Sequence, residues 1–186
     1  MKVKLNPAFE GMSGTLGDIV FRELRGETIM SRKPAVIGEP TAGQLAHRER
    51  FKLAAAYGKS VMADPTIRAL YEEAAKRKKV PVFSLTVADY FNAPTINNVD
   101  VMGYYGNIGD IINIHASDDF SVEKVYVTIK TTQGQPVEMG EAVQAADGSD
   151  LWTYTATAQG QPLAKFQIVA VDRPGSTKIM NLDKTF

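Results

Sequence analysis

Three glycines spaced three residues apart, in the stretch GMSGTLGDIVFR, are the pattern in this chain most similar to a phosphate-binding loop. Gly11, Gly14 and Gly17 form a G-x-x-G-x-x-G series, whereas dinucleotide sites use G-x-G-x-x-G at the start of a helix and P-loops end in G-K-[ST]. The residues that follow predict a strand. We therefore expect these glycines to let the backbone turn and lie close against another surface, such as a second subunit.

Three aspartates are candidates for a weak cation site. Asp118 and Asp119 follow one predicted strand and Asp172 ends another, and in a β-sandwich of this kind those two loops lie at the same end. Carboxylates gathered in this way bind hard cations such as Ca²⁺. The alternative is that each aspartate forms a side-chain turn that holds its loop, since the D-x-[DN]-x-[DN]-G spacing of calcium loops is absent.

The residues that carry out most catalysis form no recognisable pattern. The chain has no cysteine and two histidines, which excludes disulfides, thiolate nucleophiles and histidine-rich metal sites. His47 falls on a charged helix face and His115 on an alternating strand, and neither lies beside a nucleophile motif. We therefore predict a protein that is not an enzyme and that needs no cofactor.

One basic run, KRKK at residues 76–79, raises the question of nucleic-acid binding. Cations in the last turn of a helix stabilise it by interacting with the carbonyl end of the helix dipole. No aromatic platform for stacking bases accompanies the run. We favour the helix-end interpretation over contact with nucleic acid.

The charges balance overall but divide between the two halves of the chain. The 21 Lys and Arg cancel the 21 Asp and Glu, so no net field draws the protein to nucleic acid or to an anionic membrane. Residues 1–93 hold 15 basic and 10 acidic side chains, and residues 94–186 hold 6 basic and 11 acidic side chains.

No apolar run has the length of a signal peptide or a membrane span. We expect a cytoplasmic protein, or one released as part of a particle, with no membrane partner.

The first part of the chain, residues 1–40, predicts a glycine-rich arm that ends in a β-hairpin. The segments DIVFREL and TIMSRKP flank a turn at Gly26, and Ile19, Phe21 and Ile29 line one side. A lone two-stranded hairpin is only marginally stable in water. This hairpin must therefore dock on the following helices or on another chain.

Residues 41–93 predict a small antiparallel helical domain. Thr41 and Gln44 have the spacing of a capping box for a helix over 42–61, DPTIR begins a second helix, and a third short helix covers 84–91. Apolar residues recurring every three or four positions predict the buried faces. These residues are Phe51, Ala54, Ala55, Gly58, Val61 and Met62 in the first helix and Ile67, Leu70, Tyr71, Ala74 and Ala75 in the second.

After a linker at 94–98, residues 99–186 change to period-two alternation. Seven short segments rich in Val, Ile, Thr, Tyr and Trp are bounded by Gly, Asp, Asn or Pro, which predicts a seven-stranded β-sandwich. The alternation assigns these inward residues: Ile112, Ile114, Ala116, Val125, Val127, Ile129, Trp152, Tyr154, Ala156, Phe166, Ile168 and Ala170. The predicted fold class is therefore α+β, with hairpin arm, helices and sandwich in that order.

Two resemblances accompany these patterns. IHASDDFSVEKVYVTI, DLWTYTA and FQIVAVDRPGSTK make the second half similar to a bacterial immunoglobulin-like domain, which implies the fold of an adhesive or structural module. The N-terminal half, with G-x-x-G-x-x-G-D-I-V-F-R and T-A-G-Q-L-A-H-R-E-R-F, resembles uncharacterised proteins of Bacteroidota and their phages. No mechanism is implied by the second resemblance.

The favoured function is a non-enzymatic structural subunit that self-assembles into a filament, a virion or a similar particle. Its partners are copies of itself and other structural proteins. The contact is made by an N-terminal arm whose main-chain groups and alternate side chains pair with a neighbour. The arm residues are Gly11, Gly14, Gly17, Ile19 and Phe21.

The alternative function is a monomeric binding module. In this hypothesis the loops of the sandwich hold a carbohydrate or a protein ligand. Tyr104 and Tyr105, in GYYG, supply a platform for a sugar only where they are exposed, and alternation buries one of them in any strand.

Overall fold

The computed structural model describes residues 11–24, 26–33 and 38–184. The chain divides into two compact units, Met1–Leu45 and Ala46–Phe186. The boundary falls inside the first helix, so most of the helical region belongs to the same unit as the sandwich. Most of the segment predicted as a linker, 94–98, belongs to the strand Thr95–Asp100.

The first unit contains a three-stranded antiparallel sheet. Its strands are β1 (Gly14–Leu16), β2 (Ile19–Leu24) and β3 (Glu27–Arg32), in the order β1-β2-β3. The hairpin β2–β3 is present as predicted, but Ile29 lies opposite Arg22 and therefore on the other face of the sheet from Ile19 and Phe21. Strand β1 is additional, since three residues are too few to show alternation. Gly17 and Gly26 adopt φ values of +60° and +78° at the two turns, a region that L side chains disfavour.

Three helices begin the second part of the fold: α1 (Ala42–Ala63), α2 (Pro65–Lys78) and α3 (Val82–Phe91). The predicted capping box is present, since the backbone N–H of Thr41 donates to Gln44 Oε1 at 3.0 Å and that of Gln44 donates to Thr41 Oγ1 at 3.3 Å. Asp64 caps α2 by accepting from two backbone N–H groups. Phe51 and Leu70, predicted to be buried, are exposed, because α1 and α2 bury only narrow stripes of their surfaces.

Eight strands, rather than the predicted seven, form the β-sandwich. They are β4 (Thr95–Asp100), β5 (Ile111–Ser117), β6 (Val122–Lys130), β7 (Pro136–Glu141), β8 (Val143–Gln144), β9 (Leu151–Thr155), β10 (Lys165–Asp172) and β11 (Thr177–Asp183). One sheet has the order β4-β5-β9-β8 and the other β11-β10-β6-β7. The first strand begins four residues earlier than predicted and ends before the GYYG segment.

One hydrophobic core lies between the two sheets. All twelve residues predicted to face inward are buried in it, because period-two alternation fixes the buried face of a strand. Trp152, Val127 and Phe166 are among them. A second, smaller core joins the helices and includes Val61, Tyr71 and Leu85, with Phe120 of the β5–β6 loop packed against it.

Candidate functional site

The predicted arm residues lie in or beside the first sheet. Phe21 is buried and Ile19 is partly exposed. Gly11, Gly14 and Gly17 all have positive φ, and nothing lies within 4 Å of a β-carbon built on any of them. The backbone N–H of Gly11 donates to Thr28 Oγ1 at 3.0 Å, which ties the start of the described arm to β3.

One face of this sheet is apolar. Leu16 lies opposite Ile19, and Phe21 lies opposite Met30, in the antiparallel register. Since residues directly opposite one another share a face, these four side chains lie on the same side. Leu16 is 65% exposed and Met30 is 49% exposed. The sequence analysis did not include Leu16 or Met30 among the arm residues, although the alternation of side chains along the strands could have placed them on this face.

The three predicted cation ligands are only partly brought together. The carboxylate of Asp119 accepts a hydrogen bond from Asn92 Nδ2. Asp118 accepts from the backbone N–H of Phe120 at 3.0 Å, and Asp172 accepts from the backbone N–H of Ser176. These two contacts are the side-chain turns of the alternative interpretation.

Among the described residues, no group of three or more His, Asp or Glu is arranged to hold a metal ion. An open cleft of about 300 Å³ lies beside the aspartates. Its lining residues are Asn92, Ala93, Thr95, Ser117, Asp118 and Asp119. We assign no metal to this cleft, and the predicted cation site stays a prediction.

A buried polar network that the sequence did not predict connects the helices to the sandwich. The hydroxyl of Tyr57, on α1, hydrogen-bonds with that of Tyr71, on α2, at 2.8 Å. The Tyr71 hydroxyl donates to Asp89 Oδ2, on α3. The carboxyl group of Asp118, in the β5–β6 loop, interacts with that of Asp89 and raises its pKa. Four elements therefore meet through one chain of polar groups.

Burial changes the proton affinity of this network. It raises the pKa of Asp89 to about 8, with the neighbouring carboxylates of Asp118 and Asp172 acting in the same direction against the hydrogen bond from Tyr71. Burial also raises the pKa of Asp172, and it raises that of Tyr71 far above its ordinary value. Asp89 is fully buried and Asp172 is nearly so. A protonated carboxyl group at Asp89 is thus the favoured state near neutral pH.

At the loop between β4 and β5, the two tyrosines of GYYG separate. Tyr104 is fully buried, with its ring edge-on to Phe166 at 5.1 Å between centroids. Tyr105 is 62% exposed. The carboxylate of Asp110 accepts from the backbone N–H groups of Tyr105 and Asn107, at 2.6 and 2.8 Å. These backbone hydrogen bonds lower the pKa of Asp110.

Further contacts hold the same loop in place. The ammonium group of Lys184 donates to the carbonyl oxygens of Val101 and Met102, at 3.1 and 3.3 Å, and lies 4.8 Å from the centroid of the Tyr105 ring. The backbone N–H of Gly160, in the β9–β10 loop, donates to the carbonyl of Gly106 at 2.8 Å. Tyr105 is therefore an exposed aromatic ring on a loop that is fixed from two sides.

The basic run and the two histidines lie at positions where their contacts are structural. Lys76, Arg77 and Lys78 occupy the last turn of α2, as the helix-end interpretation predicts, and Lys78 donates to the carbonyl of Asp119. The ring of His47 packs at 5.6 Å from that of Phe91. His115 lies in β5 with its side chain outward.

No helix among the described residues is long and apolar enough to cross a membrane.

No family model and no curated protein matches the chain. Among solved structures, the CopC of Methylosinus trichosporium OB3b is similar at 13% identity and a TM-score of 0.37, over 48% of this chain and 89% of that one. A conjugative transposon lipoprotein from Bacteroides eggerthii DSM 20697 is similar at 13% identity and a TM-score of 0.29, over 50% and 96%. At these TM-scores the similarities carry no argument, so function is inferred from the geometry of the chain itself.

Proposed function

We propose that this chain is a non-enzymatic structural subunit that assembles with copies of itself through its N-terminal sheet. The supporting observation is the exposed apolar surface of Leu16, Ile19 and Met30 on one face of this sheet. Small sheets are stable in water only when an apolar face is covered. A second copy can cover this face, and the sheet would then bury more apolar surface in the assembly than in a single chain.

In this proposal the β-sandwich is a separate module of the structural subunit. We propose an immunoglobulin-like fold for it, because the order β4-β5-β9-β8 facing β11-β10-β6-β7 corresponds to the A-B-E-D and G-F-C-C′ order of immunoglobulin-like domains. The strand order supports the fold and not a ligand, since immunoglobulin-like domains have many functions.

Light scattering of the full chain over a range of concentrations tests the assembly. We expect the native protein to form oligomers or polymers, and we expect Leu16→Glu combined with Met30→Glu to remain monomeric, since two charges on the apolar face would have to be desolvated. Thr15→Glu is the matched control, because Thr15 is exposed on the opposite face of β1. A native chain that is monomeric at every concentration, or a double variant that assembles normally, would refute the proposal.

A second function is supported by the exposed ring of Tyr105. Tyr105 lies two residues before Asn107, whose side-chain oxygen accepts a hydrogen bond from Gln159 Nε2 at 3.5 Å. An exposed aromatic ring on a fixed loop that also carries amide groups has the features of a site for a neutral carbohydrate. Screening against a panel of glycans tests it. We expect Tyr105→Ala to abolish binding and Met139→Ala, at an exposed residue of β7, to preserve it. Native protein that binds no glycan would remove this candidate.

A further inference from the structure

Several polar atoms are buried without a hydrogen-bond partner where the helices contact the sandwich. Asp89 Oδ1, Asp118 Oδ1 and Asp172 Oδ2 are all buried without a donor. The second oxygen of each carboxyl group already accepts a hydrogen bond, from Tyr71, Phe120 and Ser176 respectively. Buried polar atoms of this kind are costly unless they are satisfied.

A single proton would satisfy two of these three oxygens. Burial and the neighbouring carboxyl group of Asp118 both raise the pKa of Asp89, and the oxygen without a donor in each of the two side chains is Oδ1. Two ionised neighbouring carboxylates repel each other, whereas a protonated carboxyl group donates to a carboxylate. One proton between the two groups would remove this repulsion, while Tyr71 donates to Asp89 Oδ2.

The same unit lies where the helices meet the end of the sandwich. Phe120, which follows Asp118 in the β5–β6 loop, stacks on the ring of Tyr71 with centroids 3.7 Å apart. Arg173, after β10, lies 5.9 Å from the centroid of Phe120 and forms an ion pair with Glu123. The helices thus contact the sandwich through loop residues around the carboxyl pair.

We propose that Asp89 and Asp118 share one proton and that this proton fastens the three helices to the end of the sandwich, so that its loss loosens the junction. The titratable groups that face Asp89 are Tyr57 from α1, Tyr71 from α2, Asp118 from the β5–β6 loop and Asp172 from β10. Two of these are carboxylates, so ionising Asp89 places three negative charges together. The guanidinium of Arg173 forms an ion pair with Glu123 through Nη2, and its Nε is buried without a hydrogen-bond partner.

The direction of the pH dependence follows from the raised pKa of Asp89. In the unfolded chain this carboxyl group loses its proton near pH 4, whereas in the folded protein it keeps the proton up to about pH 8. Folding therefore takes up a proton between these values, and stability falls as the pH rises through this window. Each pH unit in the window lowers the folding equilibrium constant by up to about tenfold, and the loss ends above about pH 8.

Thermal unfolding of the full chain from pH 5 to pH 9 tests the proposal. In Asp89→Asn the amide nitrogen donates to Asp118 and the amide oxygen accepts from Tyr71, so the variant imitates the protonated pair at every pH. We expect the melting temperature of the native chain to fall from pH 5 to pH 8, and that of Asp89→Asn to fall by less than half as much. Asp147→Asn is the matched control, since Asp147 is exposed and the substitution removes the same charge. Equal pH dependence in native protein and Asp89→Asn would overturn the proposal.

A second measurement does not depend on the variant folding. Carboxyl ¹³C NMR of the native chain should show Asp89 titrating well above the ordinary aspartate range. Titration of Asp89 near pH 4 would overturn the proposal. So would a large rise in melting temperature on adding Ca²⁺ that Asp89→Asn abolishes, because a cation rather than a proton would then hold the carboxylates together.

Discussion

Replacing Gly58 with alanine tests how closely α1 packs against α3. Gly58 is buried in the middle of α1. A β-carbon at this position would lie 2.7 Å from Thr86 Oγ1 and 2.8 Å from Cε2 of the Phe83 ring. Real β-carbons do not approach heavy atoms this closely, so one of the two helices would have to shift.

Two opposing effects decide the magnitude. Alanine is more favourable than glycine inside a helix by about 1 kcal/mol. Overpacking a closely packed contact costs about 1–3 kcal/mol. Phe83 is partly exposed and its ring can move, but Thr86 is fully buried and its hydroxyl donates to the Phe83 carbonyl at 2.8 Å. We therefore expect Gly58→Ala to destabilise the protein by up to about 2 kcal/mol, which corresponds to a fall of up to roughly 8 °C in melting temperature.

Calorimetry of Gly58→Ala and three further variants separates the clash from the helix propensity. Gly43→Ala is the control, because nothing lies within 4 Å of a β-carbon at this exposed position of α1, and it should leave the melting temperature unchanged or raise it. Thr86→Ala removes the hydroxyl that Gly58→Ala meets, so the double variant should cost less than the sum of the two single changes. If Gly58→Ala stabilises the protein as much as Gly43→Ala, the described packing of α1 on α3 is incorrect.

Two further predictions concern the sandwich. Trp152→Ala should lower the free energy of unfolding by about 3–5 kcal/mol, the usual range for a buried aromatic residue, and an unchanged midpoint in chemical denaturation would contradict the position of Trp152 in the core. Gly106→Ala should destabilise the β4–β5 loop by about 1–3 kcal/mol, because Gly106 has a φ of +90° and an added β-carbon would lie 2.8 Å from the backbone of Gln161. Gly109→Ala, which is equally strained but meets no neighbour, is its control in the same denaturation experiment.

The sequence by itself determined the elements of this protein wherever local chemistry decides them. The capping box at Thr41, the Asp64–Pro65 start of α2 and the turn at Gly26 all depend on residues within four positions of one another. The inward residues of the strands were also predictable, because alternation is a property of the strand alone. Short or irregular segments were not, so β1 and β8 were missed and the start of β4 was assigned to a linker.

Only the tertiary structure decided which distant residues meet. Tyr57, Tyr71, Asp89 and Asp118 come from three helices and a loop, and none has a neighbour in the sequence that indicates a partner. The sequence pattern indicates Asp89 only as an ordinary polar residue of α3, since helical periodicity does not distinguish a buried carboxyl group from an exposed one. Its burial and its proton depend on the packing of α2, α3 and the β5–β6 loop around it, and packing is a property of the whole fold rather than of any segment.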